Sequence, residues 1–391
     1  MTRKERLMAT LRGEPVDRPP VCFYEINGYS ECEEDPDPFN IYNHPSWKPV
    51  LKLARERTDR IVMCWIPFLH EPGDLEKRTR TSIFFDEKGR KHTVTQIKAG
   101  GRTLTQHVRR DPDVNTDWIL EHFIKGEEDL RDWIELPDEE IGEPDYRELI
   151  QTEKDLGDSG IVSLETGDAL CEIAGLMDME EYMVLAMMER ELFQQAMQKA
   201  QRLLKKRISR VAKDFPGRLW RIYGPEYAAP PYLPPALYEK YVTEYDRELV
   251  SIIAEYGGYP RIHQHGKQKG ILEYTVRTGC IGIDPVEPEP QGDVTLAYVR
   301  QKYGKQLVLF GNLEISDLEL MEPEAWREKV RQALEEGTSG EGRGFVLMPS
   351  SCTLGRVVSE KAYRNYEIMV EMAETFQRKG ADEKCNQLKR H

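Results

Sequence analysis

Short runs of β-favouring residues recur along this chain with helical patterns between them, and that alternation constrains the fold more than any other feature. The runs fall at 20–25, 60–65, 161–165, 218–223, 260–265, 280–284, 306–311 and 344–348, eight in all. Helical periodicity is strong near 179–213, 235–257, 292–303, 323–336 and 355–379. A first helix at 3–12 opens with Thr2 followed three residues later by Glu5, the signature of a capping box, and stops at Gly13. A strand that is followed by a helix meets the next strand in parallel, by crossover. Eight such units predict a (β/α)8 barrel, an α/β fold, occupying 1–391 as a single domain.

One stretch breaks the rhythm. From Thr81 to Arg109, β-formers alternate with polar residues around Asp86 to Gly89 and around Ala99 to Gly101. This pattern predicts antiparallel hairpins. They sit within a long excursion, 66–160, between the second and third barrel strands, on the face where such barrels carry their active sites.

Charge and cysteine usage exclude several functions. The 391 residues carry 55 Lys and Arg against 69 Asp and Glu, a net charge of −14 without a compensating basic cluster, which argues against nucleic acid as a partner. Seven cysteines are scattered without a CxxC pair, so a disulfide framework is not expected. No apolar run has the length of a membrane span or signal segment, and a cytoplasmic location is the expectation. The methionines between 177 and 197 read as core packing, and Lys205 to Arg207 as a solvated helix face.

Chemistry in a (β/α)8 barrel collects at the C-terminal ends of its strands. The fifth run ends in His263-Gln264-His265, and side chains two apart on a strand point the same way. The eighth run leads to Cys352. Two imidazoles and a thiolate suit Zn2+ with one position left open, so His263, His265 and Cys352 are the expected metal ligands. The competing reading makes one histidine a hydrogen-bonded barrel residue and Cys352 an ordinary small apolar side chain. Glu226, in Gly224-Pro225-Glu226-Tyr227, is open to three roles: ligand, proton acceptor or loop partner. Glu25 and Asp168 are further catalytic candidates at the ends of the first and third runs.

The opening, Arg3 to Val21, resembles the start of the uroporphyrinogen decarboxylase superfamily, whose members are (β/α)8 barrels. Gly224 to Ala228, Gly257 to Gly266, Phe310 to Asn312 and Gly344 to Cys352 are similar to it in order and spacing. Within that superfamily the chain looks closest to the zinc-dependent methyltransferases that work with corrinoid proteins. Decarboxylases carry an arginine-rich motif after the first strand, where this chain has Phe23-Tyr24-Glu25-Ile26-Asn27. The methyltransferases that act on coenzyme M have HxC after the fifth strand and a cysteine after the eighth. His263 matches the histidine, His265 replaces the first cysteine, and Cys352 matches the second.

The resemblance implies an enzyme moving a methyl group from a small methylated substrate, a methoxylated aromatic being the leading candidate, to a corrinoid (cobalamin) carried by a partner protein. The aromatics Phe23, Tyr24, Tyr29, Trp65 and Tyr227 near strand ends favour an aromatic substrate. One thiolate in place of two would make the metal a stronger Lewis acid and favour an O-demethylase role. Activation of an acceptor thiol by zinc remains an alternative. So do a uroporphyrinogen decarboxylase-type lyase and a non-catalytic barrel that binds a tetrapyrrole or corrinoid. Some relatives pair, so a homodimer is among the expected assemblies.

Overall fold

Thr2 and Glu5 form the expected capping box, each side chain accepting from the other's backbone N–H at 3.1 and 2.8 Å. The helix they start, Arg3–Arg12, ends at Gly13, whose φ of 73° is the left-handed conformation that glycine adopts at no steric cost. The computed structural model describes residues 1–377. Its strands follow in chain order as β1 (Arg60–Cys64), β2 (Phe68–Leu69), β3 (Thr79–Phe85), β4 (Lys91–Ala99), β5 (Arg102–Arg110), β6 (Asp117–Glu121) and β7 (Glu143–Pro144). After these come β8 (Gly160–Gly167), β9 (Leu219–Tyr223), β10 (Tyr259–His263), β11 (Gly282–Asp284), β12 (Val308–Phe310) and β13 (Gly344–Val346).

Seven of these strands form one sheet in the order β1-β8-β9-β10-β11-β12-β13, every neighbouring pair parallel. The eighth position is occupied by 20–23, which is no regular strand. Val21 bridges Leu347 in parallel, the Cys22 and Leu347 N–H groups donate to Leu347 and Pro20 carbonyls at 3.0 and 2.8 Å, and Asp59 N–H donates to the Val21 carbonyl at 2.7 Å. The barrel closes through these few bonds because Pro19 and Pro20 bring no N–H and because the chain turns away at once. Tyr24 there takes a φ of 57°, and Ile26 N–H bonds back to the Phe23 carbonyl at 3.0 Å.

Other boundaries shift for identifiable reasons. The predicted fifth strand stops at His263, so His265 lies in the loop beyond it. The 179–213 pattern divides into Met179–Met188 and Arg190–Asp214 at Glu189, whose ψ of 50° is not helical. The last helix runs Glu360–Thr375, starting where the Ser359 hydroxyl accepts the Ala362 N–H at 3.0 Å; residues 355–359 are loop. The predicted residues 378 and 379 lie outside the described part. Among the described residues no helix is long and apolar enough to cross a membrane.

The excursion forms the expected hairpins and more: β3, β4, β5 and β6 make a four-stranded antiparallel sheet, and β2 pairs with β7. The turn between β5 and β6 rests on the segment after β13. Asn115 N–H donates to the Leu354 carbonyl at 2.8 Å and Arg356 N–H to the Asp113 carbonyl at 2.9 Å. This places the insertion beside the C-terminal mouth of the barrel.

Charge fills a barrel interior that is ordinarily lined with Val, Ile and Leu. Leu164, Ile222, Ile262 and Ile283 alternate with Glu165, Arg221, Arg261 and Asp284, and all eight are buried. The paired register sets Glu165 beside Arg221, Arg221 beside Arg261, and Arg261 beside Gly282. Gly282 makes room: a Cβ there would lie 3.0 Å from Phe310, whose ring is 4.8 Å from the Arg261 guanidinium.

Candidate active site

Buried charges persist only when paired, and each barrel arginine has its acid. Arg261 meets Asp284 at 2.8 Å, and Arg221 meets Glu165 at 2.5 Å. Burial opposes the charge on Asp284, yet Arg261 and His263 outweigh it and hold that carboxyl well below the usual range. The second Asp284 oxygen takes Nδ1 of His263 in a short contact. A carboxylate only accepts, so Nδ1 carries the proton and Nε2 presents a lone pair. Tyr24 completes the chain: its hydroxyl accepts from Arg221 at 2.6 Å and lies 3.4 Å from His263 Nε2.

His265 repeats the arrangement from the loop. Its Nδ1 lies 2.6 Å from a Glu287 oxygen that also accepts the Gly266 N–H at 3.2 Å. Burial lowers the proton affinity of His265, but Glu287, with help from Glu226, raises it further. The two imidazole centres are 4.8 Å apart and nearly perpendicular. Carboxylate-oriented histidines with Nε2 available are the arrangement that metal-binding histidines favour.

Cys352 is held differently. Its thiol lies 3.6 Å from Oε2 of Glu25, while Oε1 of Glu25 accepts from Arg221 at 3.4 Å. Burial, then Glu25, pushes the thiol up and keeps it protonated. The links from His263 to Cys352 therefore run through Tyr24, Arg221 and Glu25. Among the described residues no three His, Cys, Asp or Glu side chains are gathered to hold a metal ion. Of the three expected ligands, His263 and His265 adjoin, and the Cys352 thiol is engaged by Glu25 at the same mouth.

The other two acids sit to one side. Asp168 is fully buried and caps the helix Ala169–Ala174 by accepting the Cys171 N–H at 2.6 Å. Burial, reinforced by Glu226, pushes its carboxyl well above the ordinary range. Glu226 accepts the Gly224 N–H at 3.1 Å within a tight turn over Pro225–Ala228. Trp65 is exposed at the rim, edge-on to Tyr223 with centres 5.5 Å apart.

The sequence reading missed Asp284 and Glu287 as partners of the histidines, and Asp246 altogether. The strand-end rule pointed to the first two, since Asp284-Pro285-Val286-Glu287 follows the sixth run as His263-Gln264-His265 follows the fifth. Asp246 carried no signal. It lies in a helix, Glu244–Glu255, fully buried, and neither carboxyl oxygen has a hydrogen-bond partner among the described residues.

Comparison with known proteins decides the family. The family model described as uroporphyrinogen decarboxylase (URO-D) matches residues 169–376, more than half of the chain. The chain belongs to the uroporphyrinogen decarboxylase family. That span contains β9 to β13 and, within them or in the loops that follow, His263, His265, Asp284, Glu287 and Cys352. No curated protein sequence matches the chain. Among solved structures, a methyltransferase from Methanosarcina mazei superposes with a TM-score of 0.58 at 15% identity, covering 95% of this chain and 98% of that one. At this identity the likeness shows the shared barrel. A D-psicose 3-epimerase from Clostridium cellulolyticum H10, solved with D-tagatose, reaches a TM-score of 0.31 at 12% identity, covers 58% of this chain and 91% of that one, and carries no argument. The uroporphyrinogen decarboxylase barrel of this chain differs from a bare barrel chiefly by the four-stranded sheet inserted before β8.

Proposed function

We propose that this family member is a zinc-dependent methyltransferase that moves a methyl group from a small methylated molecule, a methoxylated aromatic in the first instance, to a corrinoid protein. The observation that carries the reading is the pair His263 and His265, each with Nδ1 on a buried carboxylate and Nε2 left as a donor. These two nitrogens and the Cys352 sulfur are the proposed ligands, a chemistry that suits zinc. When bound, zinc supplies Lewis acidity at the atom that loses its methyl group, and the partner's corrinoid supplies the acceptor.

The chain's own residues do the rest. Asp284 and Glu287 keep both imidazoles in the ligand tautomer. Were zinc to bind the sulfur and so acidify the Cys352 thiol, Oε2 of Glu25, 3.6 Å away, would be the group placed to receive its proton. Trp65 and Tyr223 offer ring faces and edges to an aromatic substrate at the rim. Glu226 stands near enough to His265 to bias its charge, and Asp168 caps the helix Ala169–Ala174 that follows β8.

A decarboxylase acting on a polycarboxylate needs free cations. Arg221 and Arg261, the arginines of the barrel interior, are neutralised by Glu165, Glu25 and Asp284, which favours the methyltransferase reading. The deciding experiment measures bound zinc, then incubates the protein with reduced cobalamin and a panel of methoxyarenes and methylamines. Methylcobalamin formation that requires zinc is expected. Zinc-free protein that releases carbon dioxide from uroporphyrinogen would instead establish the lyase.

A further inference from the structure

Two histidines outside the barrel touch one another. His92 on β4 and His107 on β5 are diagonal neighbours on one face of the inserted sheet, since the register sets Val94 opposite His107 and His92 opposite Arg109. Nδ1 of His92 lies 2.8 Å from Nε2 of His107. His92 is buried and lies flat against the Phe84 ring, with centres 4.9 Å apart and planes 6° apart, while His107 is half-buried. The proposed methyl transfer uses neither.

The hairpin turn before β4 fixes the tautomer of this pair. Asp86 closes that turn by accepting the Lys88 and Arg90 N–H groups on Oδ1 at 2.9 and 3.0 Å. Its Oδ2 accepts from the Arg90 guanidinium at 2.6 Å and lies 3.3 Å from Nε2 of His92. Arg90 above all, helped by His92 and the turn N–H groups, holds the Asp86 carboxyl well below the usual carboxylate range. An ionised carboxylate only accepts, so Nε2 of His92 carries a proton and Nδ1 presents its lone pair. The neutral pair then keeps one proton between its facing nitrogens, on Nε2 of His107. A carboxylate behind an imidazole is the order already met at His263 and His265. The two arginines beside the pair are matched by acids, Arg90 by Asp86 at 2.6 Å and Arg109 by Asp111 at 2.8 Å.

We propose that His92 and His107 together bind a divalent transition ion of the copper and nickel type, which replaces the proton between them and clamps β4 to β5. Nitrogens bound at about 2.0 Å stand about 2.8 Å apart across a right angle and about 3.3 Å apart across a tetrahedral one. The observed spacing, that of a hydrogen bond, is also that of two ligands at a right angle, so tetragonal Cu2+ or Ni2+ fits better than tetrahedral Zn2+. The ion takes the place on the His92 lone pair that the His107 N–H now fills. His107 moves its proton from Nε2 to Nδ1 and pivots to meet the ion, so no proton is lost from the pair, and water fills the remaining positions. The inference is independent of the zinc reading, because its ligands lie on the insertion and none belongs to the barrel mouth.

Titration of the metal-stripped full chain with Ni2+, followed by calorimetry, tests it. The parent is expected to bind one equivalent that survives in the double variant His263→Gln/Cys352→Ser, whose barrel mouth is disabled. His107→Gln should lose that equivalent or bind it at least tenfold more weakly. Asp86→Asn, which keeps both ligands and removes the charge behind His92, should weaken it about 10- to 100-fold. A second measurement leaves the sheet unaltered: Cu2+ bound to the double variant should give a tetragonal electron paramagnetic resonance spectrum with two coordinated imidazole nitrogens. Equal Ni2+ binding by the parent and His107→Gln would overturn the proposal. So would Ni2+ binding that disappears in a double variant whose circular dichroism matches the parent, or a copper spectrum without imidazole nitrogen.

Discussion

The Tyr24 hydroxyl lies 3.4 Å from Nε2 of His263, on the nitrogen that Asp284 leaves without a proton. Arg221 donates to the same hydroxyl oxygen at 2.6 Å, so the tyrosine hydrogen is free to point at the imidazole. Tyr24 is the one residue other than glycine among those described with a positive φ, 57°, a backbone strain that bulky side chains accept only where their surroundings hold them there. A polar network across the barrel thus ends on the proposed metal ligand.

Tyr24→Phe should raise zinc affinity. The hydroxyl competes with the metal for Nε2, and a hydrogen bond of this kind is worth about 0.5–1.5 kcal/mol, roughly two- to tenfold in binding. Competition with a chromophoric chelator reads the change. Weaker binding in the variant would place Tyr24 among the supports of the metal rather than its competitors.

Glu287→Gln keeps the size of the side chain and removes its charge. The His265 Nδ1 partner and the Gly266 N–H acceptor then weaken together. Zinc affinity is expected to fall about 10- to 100-fold, the usual effect of losing a partner behind a ligand, with the fold retained by circular dichroism. Unchanged zinc content in dialysed protein would remove His265 from the ligand set.

Trp65→Ala addresses the substrate. Loss of the exposed indole beside Tyr223 should raise KM for methoxyarenes by roughly tenfold, about 1.4 kcal/mol of aromatic contact, with little change in kcat. Methylamine substrates should be indifferent. Equal effects on both classes would deny the rim its role in choosing an aromatic ring.

Asp246 predicts a pH effect on stability. Burial, then Asp168 and Glu226, raises its carboxyl well above the ordinary value of about 3.9. The folded chain therefore holds this proton to higher pH than the unfolded chain does. That contribution is fully present below the unfolded value and is lost as pH rises through the folded one. Unfolding free energies of the parent from urea titration should decline with rising pH more steeply than those of Asp246→Asn, by up to about 1.4 kcal/mol per pH unit. Parallel profiles would show that Asp246 ionises in the fold as freely as in water.

The barrel was legible because its signals are local. Period-two runs, helical periodicity, the Thr2 and Glu5 cap and the 81–109 alternation each depend on residues a few positions apart. Where a local exception intervened, the boundary moved: Pro19 and Pro20 reduced the first strand to a bridge, and Ser359 delayed the last helix. His263, His265 and Cys352 were legible as strand-end residues, because a barrel turns sequence position directly into place at the mouth.

What the amino-acid order determined by itself, then, was the kind of elements, their succession, and which polar side chains reach the open end of the barrel. Tertiary structure alone decided what those side chains meet. Cys352 meets Glu25 across 327 positions, His263 meets Tyr24 across 239, and the Asp246 carboxyl finds no hydrogen-bond partner among the described residues. Such contacts follow from closing the sheet, where register and buried charge balance must be satisfied around the whole ring together, and no window of neighbouring residues contains that condition.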